Sequence, residues 1–190
     1  IMLSVSLLGL NLSASVTSAT GLTSPLTRSV AGWIPYWNQT TALSVVQNNP
    51  DIFDELSPFW YDLGSSGELI SLPNSENSTL ITYAGSNGKK LIPLISNEFQ
   101  GNLVSTIINN PALKQTHIAN IVNKVVALGY SGIDIDYENL FATDRDAFSS
   151  FIRDLAAALH SKGKTLVVTV HAKTSAPGAW SGPQACLLYT

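Results

Sequence analysis

Residues 131–140 read SGIDIDYENL, and this stretch decides the fold class. Two sets of side chains alternate along it, the apolar Ile133, Ile135 and Tyr137 and the acidic Asp134, Asp136 and Glu138. Side chains two positions apart in a β-strand share a face and lie roughly 6–7 Å apart along it. The alternation therefore predicts a strand at residues 133–137 with an apolar face packed under helices and three carboxylates on the other face.

Four further apolar segments are typical of strands, and segments with helical spacing separate them. We expect strands at residues 30–37, 56–61, 91–95 and 166–170, and helices at residues 41–48, 79–85 and 111–128. A last helix is expected to be capped by Thr143 and to end before Gly163. The predicted apolar stripes are Ile118, Ile121, Val122, Val125 and Val126 in the third helix, and Phe148, Phe151, Ile152, Leu155 and Leu159 in the last.

Strands separated by helices of this length pair in parallel through right-handed crossovers. Two architectures are then candidates, an open doubly wound sheet and a closed barrel of eight β/α units. No Gly-x-Gly-x-x-Gly follows the first strand, and no Gly-x-x-x-x-Gly-Lys-Ser/Thr occurs in the sequence, so nothing supports a nucleotide-binding sheet. We predict an α/β fold of the (β/α)8 TIM-barrel type, here a partial barrel of about five β/α units.

The acidic face of residues 133–137 is the candidate catalytic site. Barrel interiors are normally lined by branched apolar side chains and buried charges need partners, so three inward carboxylates indicate a function. Neighbouring carboxylates raise one another's pKa, and one that stays protonated near neutral pH can serve as a general acid. Glu138 comes last, at the C-terminal end of the strand, where active sites of barrels lie. Two alternatives remain open: a polar strand face at a sheet edge, and a magnesium or calcium site.

The same segment resembles the Asp-x-x-Asp-x-Asp-x-Glu signature of glycoside hydrolase family 18, the chitinase-like barrels. Four other segments are similar to strands of that family, namely GWIPYW, SPFWY, LIPLIS and LVVTVHAK. The resemblance covers residues 30–185 and is nearest to the bacterial subgroup of spore-germination and cell-wall lytic glucosaminidases. One position departs from the signature: Ser131 replaces its first Asp, which in the family supports the second Asp through a hydrogen bond.

The resemblance implies a glycoside hydrolase that cleaves β-1,4 linkages next to N-acetylglucosamine, in chitin or peptidoglycan, by substrate-assisted retaining catalysis. It implies that Glu138 is the acid and then the base, that Asp136 orients the acetamido group of the substrate, and that Asp134 tunes Asp136. A non-catalytic, lectin-like carbohydrate-binding barrel is the alternative. Lectins of the family typically lose the final Glu, which is present here.

Aromatic side chains at the ends of the first two strands are candidates for stacking on sugar faces. These candidates are Trp33, Tyr36, Phe59 and Trp60. Packing in the core is the alternative for each of them, since aromatic side chains contribute as much to cores as to binding surfaces.

The composition narrows the class of partners. Ten Lys and Arg against thirteen Asp and Glu give a net charge of −3, with no basic run. A nucleic-acid-binding protein normally has a clustered positive surface, so we expect no nucleic acid partner. The single Cys186 excludes an intramolecular disulfide framework and a multi-cysteine metal site. We expect no cofactor, no metal, a polysaccharide containing N-acetylglucosamine as partner, and a monomer when the barrel is complete.

The two ends of the chain differ in composition from the predicted barrel. Residues 2–12 are apolar but too few to span a bilayer as a helix, and small residues follow them, as in an export signal. We expect a signal peptide at residues 1–19, a linker at 20–29, the partial barrel at 30–185 and an unrelated tail at 186–190. The mature protein is expected to be secreted or cell-wall associated, without a membrane span. A barrel of this type needs roughly 250 residues, so these 190 alone are not expected to form a working enzyme.

Overall fold

The computed structural model describes residues 29–170, which contain five α-helices and seven strands. The helices are α1 (Gln39–Asn48), α2 (Ser78–Ser86), α3 (Gly101–Ile108), α4 (Pro111–Ala127) and α5 (Arg145–His160). The strands are β1 (Ala31–Ile34), β2 (Glu55–Leu63), β3 (Leu69–Ser71), β4 (Lys90–Leu91), β5 (Leu94–Ser96), β6 (Gly132–Asp136) and β7 (Thr165–Val168). The expected signal peptide, nearly all of the expected linker and the tail with Cys186 lie outside the described residues.

The strands form one sheet whose main path runs β1-β2-β5-β6-β7. Every pair along this path is parallel, and each crossover between consecutive strands of the path contains at least one helix. This arrangement confirms the predicted α/β fold as part of a β/α barrel. Within residues 29–170, β1 and β7 each pair with one neighbour and form the two edges of the sheet.

Two predicted strands differ from the structure in detail, and one further strand is present. The strand predicted at residues 91–95 is divided into β4, which pairs with the start of β2, and β5, which pairs with its end. Pro93 lies in the gap, and proline has no N–H to give to a ladder. The first strand ends at Ile34 rather than at residue 37, because Pro35 and a 3-10 turn at Tyr36–Asn38 follow it. β3, which was not predicted, pairs antiparallel with the end of β2.

The core lies between the sheet and the helices, and it contains most of the predicted apolar stripes. The buried members are Phe148, Phe151, Leu155 and Leu159 in α5 and Ile118, Ile121 and Val125 in α4. The prediction for Val126 is wrong, because this side chain is 47% exposed. Each residue advances about 100° around a helix, which carries Val126 off the face centred on Val125. Of the helices in the described part of the chain, none combines the length and the apolar character needed to cross a bilayer.

The start of α5 and the whole of α3 differ from the sequence predictions. The predicted cap Thr143 lies in a 3-10 turn, and the helix N-cap is Asp144. The Asp144 carboxylate turns instead to Ser105 Oγ at 3.1 Å and Asn109 Nδ2 at 2.9 Å. α3 was not predicted, because the polar run before it is typical of a loop. It links the end of β5 to α4 and so shapes the loop beside the candidate site.

Candidate active site

Asp134 lies on β6 inside the sheet, is 1% exposed, and is held by side chains from other strands. Thr169, directly after β7, donates from Oγ1 to both carboxylate oxygens at 3.1 and 3.3 Å. Ser57, on β2, donates from Oγ to Asp134 Oδ2 at 3.4 Å. The Trp33 side chain on β1 also lies close enough to this carboxylate to lower its pKa. Side chains of β1, of β2 and of the residue after β7 therefore converge on Asp134.

Burial raises the pKa of Asp134, and the polar groups of Thr169, Ser57 and Trp33 oppose that rise. The direction agrees with the sequence expectation for this face, but the main cause is desolvation rather than the neighbouring carboxylates. Ser131, which occupies the first position of the signature, instead accepts a hydrogen bond from the Leu91 backbone N–H at 3.2 Å. The support that the signature assigns to its first Asp is thus supplied to Asp134 by residues of other strands.

Asp136 is the last residue of β6 and pairs in register with Ser96 at the end of β5. It is half-buried, as is Glu138. Glu138 lies two residues beyond the strand, so no strand ladder fixes its backbone. Its backbone N–H and C=O instead bond to the side-chain amide of Asn97, each at 2.9 Å. Asn97 was not among the predicted site residues, because no local pattern marks a contact between positions so far apart in the chain.

Three of the four predicted aromatic residues form a cluster beside the carboxylates. Trp33 and Phe59 meet edge to face with ring centroids 5.7 Å apart. Trp37, which was not predicted, joins the cluster at 5.9 Å from Phe59 and 5.0 Å from Tyr36. Trp33 is 56% and Trp37 is 67% exposed, so large ring faces remain open at the end of β1. The sequence signal for Trp37 was its place in the same GWIPYW run.

The fourth predicted aromatic residue, Trp60, does not belong to this surface. Its side chain is fully buried, its indole donates to Gln39 Oε1 at 2.7 Å, and its ring packs against Tyr130. The pairing of β2 with β5 shifts register between Phe59 and Tyr61, as at a β-bulge. Neighbouring residues of a strand face opposite sides, so Trp60, which directly follows Phe59, points away from the aromatic cluster and is a core residue.

A second acidic pair, Asp62 and Glu98, lies at the same carboxyl-terminal end of the strands as Asp136. Asp62 pairs in register with Ser96, which in turn pairs with Asp136, so the three positions form one row across β2, β5 and β6. Burial, together with the nearby Glu98 carboxylate, raises the pKa of Asp62 to about 6. Among residues 29–170, no group of three or more His, Cys, Asp and Glu side chains is arranged to hold a metal ion.

The sequence of this chain is similar to those of a known protein family and of several curated relatives. The sequence model of Glycosyl hydrolases family 18 matches residues 64–185. YdhD of Bacillus subtilis (strain 168), which has the provisional name of a sporulation-specific glycosylase, is 30% identical over 152 residues, 71% of this chain and 35% of its own length. The cortical fragment-lytic enzyme of the same organism is 25% identical over 146 residues, 72% of this chain and 34% of its own length.

Solved structures show the same fold. The spore cortex-lytic enzyme SleL of Bacillus megaterium QM B1551 superposes with a TM-score of 0.72 at 20% identity, over 83% of this chain and 38% of that one. The chain spans about a third of the length of these two curated relatives. Because the family match extends over more than half of the chain and includes all three carboxylates of the β6 segment, this chain belongs to Glycosyl hydrolases family 18.

Proposed function

We propose that the protein is a glycoside hydrolase that cleaves β-1,4 linkages next to N-acetylglucosamine by substrate-assisted retaining catalysis. One observation carries the proposal: in a family 18 chain, Asp134, Asp136 and Glu138 follow one another at two-residue spacing along and just past β6. This is the carboxyl end of a parallel strand, where the active sites of β/α barrels lie.

In the proposed reaction Glu138 gives its proton to the glycosidic oxygen as the bond to the leaving sugar breaks. The carbonyl oxygen of the substrate's own acetamido group forms the new bond to the anomeric carbon, which gives an oxazolinium ion. Asp136 orients the acetamido group and stabilises its positive charge. Glu138 then takes a proton from water, which opens the ring with overall retention. Substrate assistance replaces the carboxylate nucleophile that ordinary retaining glycosidases use.

The surroundings of the carboxylates support these roles. Asp134 is buried and bonded to Thr169 and Ser57, so it is fixed two residues before Asp136 and suited to tune it. The open rings of Trp33 and Trp37 provide apolar faces on which pyranose rings can stack. We therefore assign sugar binding to Trp33, Tyr36, Phe59 and Trp37, and we leave Trp60 to the core.

The proposed substrate is a polysaccharide of the chitin or peptidoglycan type. Two relatives have names that refer to the spore cortex, which favours a bacterial cell-wall glycan. A substrate of this size lies outside the cell, so we propose a secreted or cell-wall-associated protein with a signal peptide at residues 1–19 and a barrel at residues 30–185.

The test of this proposal is whether cleavage requires the N-acetyl group. In a version of the protein with a complete barrel, a fluorogenic chitobioside or N-acetylated peptidoglycan should be cleaved. The matched de-N-acetylated substrates should be cleaved at least about 10²-fold more slowly, because the internal nucleophile is missing. Equal cleavage of both forms would show that Asp136 and Glu138 act as an ordinary carboxylate pair.

The same preparation distinguishes the lectin-like alternative. A chitin pull-down and a turnover assay are run in parallel on the complete protein. Retention on chitin without any turnover of either glycan would contradict the hydrolase proposal and favour a carbohydrate-binding barrel.

A further inference from the structure

The regular hydrogen bonding of β6 ends at Asp136, while the proposed acid and base is Glu138. A side chain two residues past a strand has no ladder to set its direction, yet catalysis requires it to meet one oxygen of the substrate. We propose that Asn97 is the positioning residue that fixes Glu138 for proton transfer. The inference rests on the proposed function, because it assumes the catalytic role of Glu138.

The contacts between the two residues are reciprocal. Asn97 Nδ2 donates to the Glu138 carbonyl oxygen, and the Glu138 N–H donates to Asn97 Oδ1, both at 2.9 Å. An asparagine amide presents one donor side and one acceptor side in a plane, so it can replace the neighbouring strand that a backbone would otherwise pair with. Asn97 follows β5 directly and is 1% exposed, so its own position is fixed by packing.

The loops that contain these two residues also shape each other. Asn139 Nδ2 donates to the Phe99 carbonyl oxygen at 3.3 Å, so each loop contributes one asparagine to the other. Glu98, Phe99 and Asn139 all have left-handed backbone conformations, with φ of 47°, 61° and 55°. Non-glycine residues keep such conformations only where surrounding contacts over-determine them. The Asn97 amide is the contact that joins this pair of loops at the proposed catalytic residue itself.

Substitution of Asn97 should lower kcat while KM changes little. In the complete-barrel protein, we expect Asn97→Ala to reduce kcat for the fluorogenic chitobioside, or for peptidoglycan if only that is cleaved, by about 10–100-fold. KM should stay within about threefold, because the aromatic surface on β1 and β2 is untouched. The Glu138 amide should also exchange its hydrogen at least about tenfold faster in this variant, measured by hydrogen–deuterium exchange.

Asn97→Asp provides a near-isosteric second variant if Asn97→Ala does not fold. Its carboxylate can accept from the Glu138 N–H but cannot donate to the Glu138 carbonyl oxygen. The ratio of its kcat to that of the parent should therefore rise as the pH falls and a protonated carboxyl regains a donor. Asn110→Ala is the control, because Asn110 also bonds two backbone groups, Ala112 N and Leu113 N, but only within α4. Its kcat should equal that of the parent.

The outcomes separate this inference from the proposed function. Full turnover in Asn97→Ala, combined with loss of turnover in Glu138→Gln, overturns the role of Asn97 and leaves the function intact. Unchanged exchange of the Glu138 amide in Asn97→Ala, or a kcat loss no larger than that of Asn110→Ala, also overturns it. Full turnover in Glu138→Gln instead overturns the proposed function, and with it the reason to position Glu138.

Discussion

Tyr137 separates Asp136 from Glu138 along the chain, and its hydroxyl lies 2.6 Å from Nε2 of the buried His117. The other ring nitrogen, Nδ1, lies 2.8 Å from the carbonyl oxygen of Gly67. Because a carbonyl can only accept, Nδ1 carries the proton and Nε2 accepts from Tyr137. One neutral imidazole thus joins α4, the β2–β3 hairpin and the segment that carries the proposed catalytic residues.

Burial lowers the pKa of His117 to about 4, against weaker opposing effects of Gly67 and Glu68. An unfolded histidine titrates near 6.5, so between about pH 6.5 and 4 the unfolded chain binds more protons than the folded one. The contribution of His117 to the free energy of unfolding should therefore fall as the pH decreases through this window, by about 3 kcal/mol at its lower end. The raised pKa of Asp62 acts in the opposite direction, so this loss is measured as the difference between the parent and His117→Gln in urea unfolding at pH values from 7 to 4.

Two substitutions assign the effect to His117. His117→Gln should remove the loss that His117 causes across this window, whereas His160→Gln should leave the pH dependence of the parent unchanged, because His160 is exposed at the end of α5. The same slope in the parent and in His117→Gln would contradict the neutral, buried state of His117.

At the scale of elements, the loop after β6 packs directly on the start of α3. A Cβ atom added to Gly101, the first residue of α3, would collide with the Asn139 carbonyl oxygen. Gly101→Ala should therefore force the two loops apart and lower the free energy of unfolding by about 1–3 kcal/mol, the usual cost of overpacking. Thermal unfolding of the variant and the parent measures this difference.

Gly85→Ala is the matched substitution, because Gly85 lies in α2 and nothing lies within 4 Å of an added Cβ. It should raise the free energy of unfolding by about 0.5–1 kcal/mol, since alanine loses less backbone entropy in a helix. If Gly101→Ala does not lower the unfolding midpoint, the close contact between Gly101 and Asn139 is wrong.

The elements that sequence periodicity could predict are those whose burial is regular. The two-residue alternation around β6 and the helical stripes of α4 and α5 each face one core, so the pattern of apolar residues reports their structure directly. β3 and α3 were not predicted because turn residues and a polar run surround them. The apolar residues 91–95 predict one strand, but Pro93 lies between two shorter strands, β4 and β5.

The sequence could mark candidate site residues only where a short segment carries a recognisable pattern. Asp134, Asp136 and Glu138 come from a single segment, and the structure joins Trp33, Tyr36 and Phe59 in one cluster through Trp37, with Trp33 near Asp134. Trp60 belongs to the core because it directly follows Phe59 in β2, and neighbouring residues of a strand face opposite sides. Ser57, Thr169 and Asn97 could not be found, since each contact joins different strands or the loops after them, and single-sequence patterns do not report such pairs.

In the whole molecule, the proposed functional groups all lie at the carboxyl-terminal ends of the parallel strands. Trp33 on β1, Asp62 on β2, Asn97 after β5 and Glu138 after β6 come from four successive strands in the order of the sheet. Parallel strands all end on the same side, so the topology itself places residues from distant parts of the sequence side by side. The fold thus explains how loops with few charged residues assemble an acidic, aromatic-lined site.

The turnover of Glu138→Gln in the complete-barrel protein tests most directly whether Glu138 is the catalytic acid and base. Glutamine is nearly isosteric but cannot donate a proton, so kcat should fall by about 10²–10⁴-fold with the unfolding midpoint unchanged. Glu55→Gln is the control, because Glu55 lies at the opposite end of β2, paired with Lys90 at 2.8 Å, and its loss should leave turnover intact. If Glu138→Gln turns over substrate as fast as the parent, Glu138 is not the catalytic acid and base.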